Sequence, residues 1–222
     1  MFRSLIHKAT EPIHGRLRAQ RSDLAVQIMQ PEPTMSLLDL GGAAGYAGEY
    51  DKLRSLFRRV LVVNLDAGNE KALLPNVEFE VADGCDLPYP DASFDWVFSN
   101  AVIEHVGDRR KQEAFAREIQ RVARVGYFVA TPNRHFFLDP HTYFPFYHLL
   151  PERLQRVAIH FSFGHMRNWE YLRILSAAEL RQMFPAADVK STGPLGTNLV
   201  VYERKQNPAP AIEFAGQRSE RE

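Results

Sequence analysis

The sequence predicts an α/β fold: a doubly wound sheet, mostly parallel, with helices on both faces. Three observations carry that expectation. Short apolar runs recur at residues 37–40, 60–65, 94–99 and 125–131, each bounded by turn residues, as in strands covered on both sides. Segments of helical period lie between them; in residues 109–123, Phe115, Ile119, Val122 and Ala123 share one face. Between the first run and the helical residues 46–57 lie Gly41, Gly42 and Gly45, a turn in which backbone can reverse and approach a ligand closely.

In chain order, residues 1–33 form a helical extension. Leu17, Leu24, Ile28 and Met29 fall on one helical side, and Pro31 and Pro33 end it. Leu5 and Ile6 are followed at once by His7 and Lys8, which is no signal peptide. Residues 34–205 make the main domain. Its first strand holds Asp39 inside an apolar run, where a carboxylate must be paired or must serve the turn. Residues 46–57 read as a helix that Arg58 and Arg59 end at its negative pole. Residues 77–81 alternate apolar and acidic side chains as a third strand. Ser176 and Glu179 form a capping box that opens a helix running through Phe184. Residues 188–191 and 197–202 read as the last strands, and the polar, proline-containing residues 206–222 as a disordered tail.

Composition excludes several classes. The 222 residues carry 27 Lys plus Arg and 27 Asp plus Glu, so no basic surplus points to a nucleic-acid partner. The single cysteine, Cys85, excludes an internal disulfide and a cysteine-based zinc site, and suits a cytoplasmic location. No apolar run is long enough for stable membrane insertion.

The glycines follow G-x-A-x-G at Gly41, Ala43 and Gly45, not the G-x-G-x-x-G of a dinucleotide turn, which argues against a nicotinamide oxidoreductase. Asp66 lies 21 residues past Gly45, after the second strand, where a carboxylate accepts hydrogen bonds from ribose hydroxyls. The stretch from Asp39 to Gly45 resembles motif I of the class I methyltransferases that use S-adenosylmethionine, with Ala43 in place of the middle glycine. Residues 83–95 fit D-x-x-x-L-P-[FY]-x-D-x-S-F-D, and Thr131-Pro132-Asn133-Arg134 follows the fifth strand. This ordered set resembles the type 11 methyltransferase family over roughly residues 35–204.

The resemblance implies a Rossmann-like sheet whose last two strands pair antiparallel at its edge. It implies S-adenosylmethionine as cofactor, with Asp39, Gly41, Gly42, Ala43, Gly45, Asp66, Ala67, Asp83, Gly84, Cys85 and Asn100 around it. Asp83 would accept from the adenine amino group, and the Gly84–Cys85 backbone would meet the ring edge.

Residues 133–172 exceed an ordinary connection and are expected to cap the acceptor. They hold five of the eight histidines and many aromatics; covering the sheet edge or a homodimer surface is the competing role. Within them, Leu154, Val157, Ala158 and Phe161 suggest a short amphipathic helix near Pro151. Catalytic candidates are His105 and His141, then His135; a hydroxyl acceptor needs a base, and histidine is the usual one. Packing or helix entry is an equal alternative for His105. Arg134, Tyr143 and Phe144 are expected to touch the acceptor. No metal is expected, because His141 and His148 are seven apart and no carboxylate cluster accompanies them. The function expected is methyl transfer to a small-molecule, glycan or lipid-type acceptor, at oxygen. The alternative is a cofactor-binding or inactive domain that serves as a partner or regulatory subunit.

Overall fold

Seven strands make one sheet: β1 (Ser36–Leu40), β2 (Arg59–Asn64), β3 (Val77–Val81), β4 (Phe94–Asn100), β5 (Ala123–Pro132), β6 (Asp188–Thr192) and β7 (Asn198–Arg204). The computed structural model describes residues 2–42, 50–66, 74–139, 141–161 and 172–210. The sheet order is β3-β2-β1-β4-β5-β7-β6. The first five strands pair parallel, and β7 runs antiparallel to both β5 and β6. The strand that runs backwards is therefore one in from the edge, and β6 is the edge itself.

Alternation along the strands sorts side chains onto two faces. Leu38 and Leu40 join Val63, Val97, Tyr127 and Val129 in a cluster closed by Phe115 and Ile119 of α3 (Arg109–Val122) and Leu180 of the later helix Ala177–Met183. Leu37 joins Val60, Val62, Trp96, Phe98 and Phe128 on the other face, closed by Ala25 and Met29 of α1 (Phe2–Met29). Each buried aliphatic or aromatic side chain contributes roughly 1.5–3 kcal/mol. The N-terminal helix thus covers the sheet through its last turns. The Asp108 carboxylate caps α3 by accepting from the Lys111 N–H at 3.0 Å. Ser176 and Glu179 close the expected capping box reciprocally.

Of the helix expected at residues 46–57, residues 46–49 lie outside the described residues and α2 spans Asp51–Arg54. Residues 55–58 turn instead of continuing it, so Arg59 opens β2 and does not end the helix. The insertion holds a 3-10 turn at Tyr147–Leu149 and α4 (Glu152–Ala158), followed by another 3-10 turn at Ile159–Phe161; α5 (Ala177–Met183) follows. Tyr147, Ile159, Leu172 and Ile174 form its own small core. The sequence reads Leu154, Val157, Ala158 and Phe161 as the apolar side of a short helix; Ala158 packs on the insertion's core, whereas Leu154, Val157 and Phe161 are exposed. His165, Trp169 and Tyr171 of the insertion lie outside the described residues, as do tail residues 211–222. Arg124 donates to the Ala209 carbonyl at 3.0 Å, so the start of the tail makes at least one contact with the domain.

Asp39 is the polar exception in β1. Its Oδ2 accepts from Arg54 Nε at 2.9 Å and from Nη2 at 2.6 Å, and both side chains are almost fully buried. Burial pushes the Asp39 carboxyl up, and the charge and hydrogen bonds of Arg54 work against that. The pair joins β1 to α2. Asn76 continues the brace by donating to the carbonyls of Arg54 and Phe57, each at 2.9 Å.

Removing one partner of a buried pair strands the other. Arg54→Met is expected to lower unfolding stability by about 3–5 kcal/mol, and adding Asp39→Leu to recover most of the loss. Urea unfolding of both variants checks this; a loss under about 1 kcal/mol in the single variant would contradict a load on the pair.

Candidate active site

The strand order turns back between β1 and β4, which opens a crevice at the carboxyl ends of those two strands. Two loops meet there. The glycine turn leaves β1 with Gly41 at φ +83°, a left-handed conformation that suits glycine, and a Cβ there would strike Val102 of the loop after β4. A Cβ on Gly42 would lie 2.8 Å from the Asp39 carboxylate. Asp39 therefore supports the turn from beneath, paired with Arg54 and packed under Gly42. The Gly41 N–H is likewise turned inward, to the Val63 carbonyl at 2.7 Å. Asn64 donates from Nδ2 to the Gly42 carbonyl at 3.1 Å, holding the turn over β2.

The remaining cofactor candidates divide between open and committed groups. Asp66 is exposed, two residues beyond β2. Asp83 is exposed beyond β3, and its Oδ1 accepts from the Cys85 N–H at 2.9 Å. That N–H is spent within the loop and does not point to a ring edge. Gly84 packs where a Cβ would meet Phe115 at 2.7 Å, so it serves the contact with α3. Burial, then the charge of Asp83, push the Cys85 thiol up to about 11, which leaves it protonated at neutral pH. Asn100 spends its amide on protein partners: Arg21 Nε donates to its Oδ1 and its Nδ2 donates to Tyr50 Oη, both at 2.8 Å. Ala43, Gly45 and Ala67 lie outside the described residues.

The loop after β4 carries the other half of the crevice. Its backbone is tied down by the His105 N–H to the Val102 carbonyl at 2.7 Å and by the Arg173 N–H to the Glu104 carbonyl at 2.9 Å. Gln112 of α3 adds bonds to the carbonyls of Ile103 and Arg173. Glu104 is fully buried; its Oε2 accepts from Thr131 Oγ1 at 2.9 Å, and its Oε1 has no hydrogen-bond partner. His105 is part-exposed. Its Nε2 stands 3.2 Å from the Nε2 of His141, with the two rings edge to face.

Behind His141 lies Asp139, 2% exposed. One carboxylate oxygen sits 3.4 Å from His141 Nδ1 and 2.9 Å from His148 Nε2; the other accepts from the Thr142 N–H at 2.6 Å. Burial alone would raise the Asp139 carboxyl, but the hydrogen bonds and charges of His141 and His148 hold it far below the usual carboxylate range. Burial disfavours the His141 cation, yet its hydrogen bond to Asp139, and the charges of Asp139 and Glu104, raise its pKa above the ordinary imidazole value.

The other acceptor candidates are placed differently. His135 is exposed, its backbone N–H donates to Asn133 Oδ1, and it takes no part in the cluster; the chain turns away directly after β5. Arg134 Nη1 is 3.5 Å from Glu179 Oε1, so its charge faces the capping box of α5. Phe144 packs on the insertion's own core. Tyr143 is half-buried with a left-handed backbone, φ 54°, and its N–H donates to the Asp139 carbonyl, which seats it beside the cluster. The sequence reading misses Asp139, His148, Thr131 and Glu104 as site residues. A visible signal exists for one of them: a lone carboxylate, Asp139, within an aromatic-rich stretch, which needs partners if buried.

A glycine turn at the switch point of a parallel sheet, with open carboxylates after β2 and β3, is the arrangement in which open α/β sheets bind nucleotide-type ligands. Residues 38–130 match the type 11 family model, described as a methyltransferase domain. It is 35% identical over 121 residues to a Mycobacterium tuberculosis protein named a probable S-adenosylmethionine-dependent methyltransferase, a match that takes in 52% of this chain and 42% of the relative. It spans about two fifths of the length of the first curated relatives it matches. A shorter stretch, 56 residues at 46% identity, matches ajmaline N-methyltransferase of Rauvolfia serpentina, over 25% of this chain and 18% of that one. The solved structure of an S-adenosylmethionine-dependent methyltransferase from Aquifex aeolicus has a TM-score of 0.56 over 90% of this chain and 96% of its own, at 16% identity, a likeness of fold. Among the described residues no helix is long and apolar enough to cross a membrane.

Because Asp139 raises the His141 pKa, the bond between them stabilises the fold below the imidazole's unfolded pKa, and that contribution is lost as pH rises through the folded value. Asp139→Asn is expected to move the His141 titration to lower pH and to flatten this pH dependence. Imidazole proton chemical shifts in chelator-containing buffer, with unfolding at matched pH values, provide the check; an unmoved His141 titration would break the assignment.

Proposed function

We propose that this chain transfers a methyl group from S-adenosylmethionine to a hydroxyl oxygen of a small-molecule, glycan or lipid-type acceptor. The observation that carries this reading is the line Asp139–His141–His105, which runs from a buried carboxylate to a part-exposed imidazole on the loop that packs against Gly41. The cofactor, when bound, supplies an electrophilic methyl group on a sulfonium. The residues fit it: the Gly41–Gly42 backbone tolerates no Cβ, and Asp66 and Asp83 offer open carboxylates after adjacent parallel strands. Asp66 is assigned to the ribose hydroxyls and Asp83, through its free oxygen, to the adenine amino group.

A hydroxyl is a poor nucleophile until its proton is removed, whereas a neutral amine needs no such help. One nitrogen of the His105–His141 pair takes that proton, which leaves a single positive charge shared across the 3.2 Å Nε2···Nε2 contact. The ionised Asp139 orients the His141 ring and stabilises the positive charge formed there, as a buried carboxylate does behind a histidine base. Tyr143, seated beside Asp139, lines the acceptor. The neutral form of the pair is the active one, so turnover should rise with pH through the elevated His141 pKa.

The test separates the two halves of the crevice. Asp66→Ala should weaken S-adenosylmethionine binding by roughly ten- to a hundredfold, the loss of a charge-assisted hydrogen bond. His141→Ala should leave that affinity intact and lower turnover by about a hundredfold or more. Calorimetric titration and labelled-methyl transfer to a panel of hydroxyl and amine acceptors read both. Transfer only to amines, undiminished in His141→Ala, would overturn the oxygen assignment. Cofactor binding without transfer to any acceptor would favour the partner-subunit role.

A further inference from the structure

We propose that Glu104, His105 and His141 bind a divalent cation of borderline softness, Zn²⁺ or a close analogue, in the acceptor half of the crevice. One ligand atom from each lies within 4.8 Å of the others. The two Nε2 atoms are 3.2 Å apart, and His105 Nε2 is 3.9 Å from Glu104 Oε1. Around a tetrahedral zinc with bonds of about 2.0–2.1 Å, neighbouring ligand atoms stand about 3.4 Å apart. The two imidazoles are already at the needed spacing, and the wider separations to Glu104 close by side-chain rotations of up to roughly 1.4 Å.

Two independent features point to a cation. Glu104 is fully buried, and its Oε1, the atom nearest His105 Nε2, has no hydrogen-bond partner. A buried carboxylate oxygen left without a donor is costly, and a cation would satisfy it. The ligands are also held from behind. Thr131 Oγ1 holds the other oxygen of Glu104, and Asp139 backs the Nδ1 of His141. A carboxylate behind a ligating histidine fixes its tautomer and raises its basicity, the usual outer support of a zinc site.

Two imidazoles and one carboxylate leave a coordination position open, which is the composition of a reactive zinc site and not of a closed structural one. Imidazole with carboxylate selects zinc and its neighbours over calcium and magnesium, which prefer all-oxygen sites. The sequence hides this set, because 36 residues separate His105 from His141 and only the fold brings them together.

Cation binding does not require the methyl-transfer reading. If both hold, the two Nε2 lone pairs are committed to the ion and do not act as the base. The open position would face the acceptor oxygen, and the bound ion would lower the pKa of that hydroxyl instead. The experiment strips the full chain with a chelator, then titrates it with Zn²⁺ by calorimetry and with Co²⁺ by visible absorption. One ion per chain is expected, with Co²⁺ bands of low-symmetry nitrogen and oxygen ligation. His105→Gln and His141→Gln should each weaken binding at least tenfold, and Asp139→Asn by roughly ten- to a hundredfold. His135→Gln should bind as the unaltered chain does. Circular dichroism confirms folding; should Glu104→Gln unfold, the part-exposed His105 decides the matter. Absence of a saturable one-to-one site, or unweakened binding in both histidine variants, overturns the proposal. S-adenosylmethionine titrated into the same samples keeps the readings apart: Zn²⁺ uptake without cofactor binding would sink the methyltransferase reading alone, and the reverse would sink the cation site alone.

Discussion

Asp39 and Arg54 meet where no water screens them, and the ligand edge of the sheet is arranged around that contact. The carboxylate occupies the space that a side chain on Gly42 would need, so the pair dictates the residue above it. Arg54 in turn fixes α2 against β1, and its carbonyl receives Asn76 from the approach to β3. One ion pair thereby ties β1, α2 and the segment that leads into β3. Neither member can be lost alone without leaving a charge in the core. The same logic recurs across the crevice, where Asp139 is buried and made tolerable by two imidazoles and a backbone N–H.

The two buried carboxylates divide the work of the crevice. Asp39 supports the glycine turn, and Asp139 supports the imidazoles of His141 and His148; in the proposed function the first faces the cofactor and His141 faces the acceptor. Val102 links them, since its side chain fills the space over Gly41 while its carbonyl receives the His105 N–H. The donor turn and the histidine pair are therefore seated on one rigid contact. A methyl transfer needs donor and acceptor held in line, and a shared support of this kind is how a fold supplies that alignment.

The sheet was legible because each of its strands announces itself locally. Leu37 to Leu40, Val60 to Val63 and Phe94 to Ser99 are short, apolar and bounded by turns, and a glycine turn after the first of them indicates a switch-point crevice. Asp66 was readable as a ribose candidate from its distance along the chain, and it does lie exposed just beyond β2. The acceptor site was half legible. His105 and His141 are readable as candidates by residue type, but their meeting depends on how residues 133–161 fold back over β4, which no local period encodes. Asp139 and Glu104 were missed as site residues because their importance comes from burial beside imidazoles. Metal-ligand spacing along the chain addresses only ligands on one element, whereas Glu104, His105 and His141 come together from two loops. Leu154, Val157 and Phe161 show the converse, an apolar spacing that the described fold leaves exposed.

The central claim is that one methyl position lies between the glycine turn and the histidine pair. A crystal structure of the full chain with S-adenosylhomocysteine tests it most directly. The account predicts the ribose hydroxyls on Asp66, the adenine beside Asp83, and the sulfur directed across Val102 toward the Nε2 atoms of His105 and His141. A nucleoside bound away from the carboxyl edge of β1 and β2, or a sulfur pointing away from the two imidazoles, would contradict it.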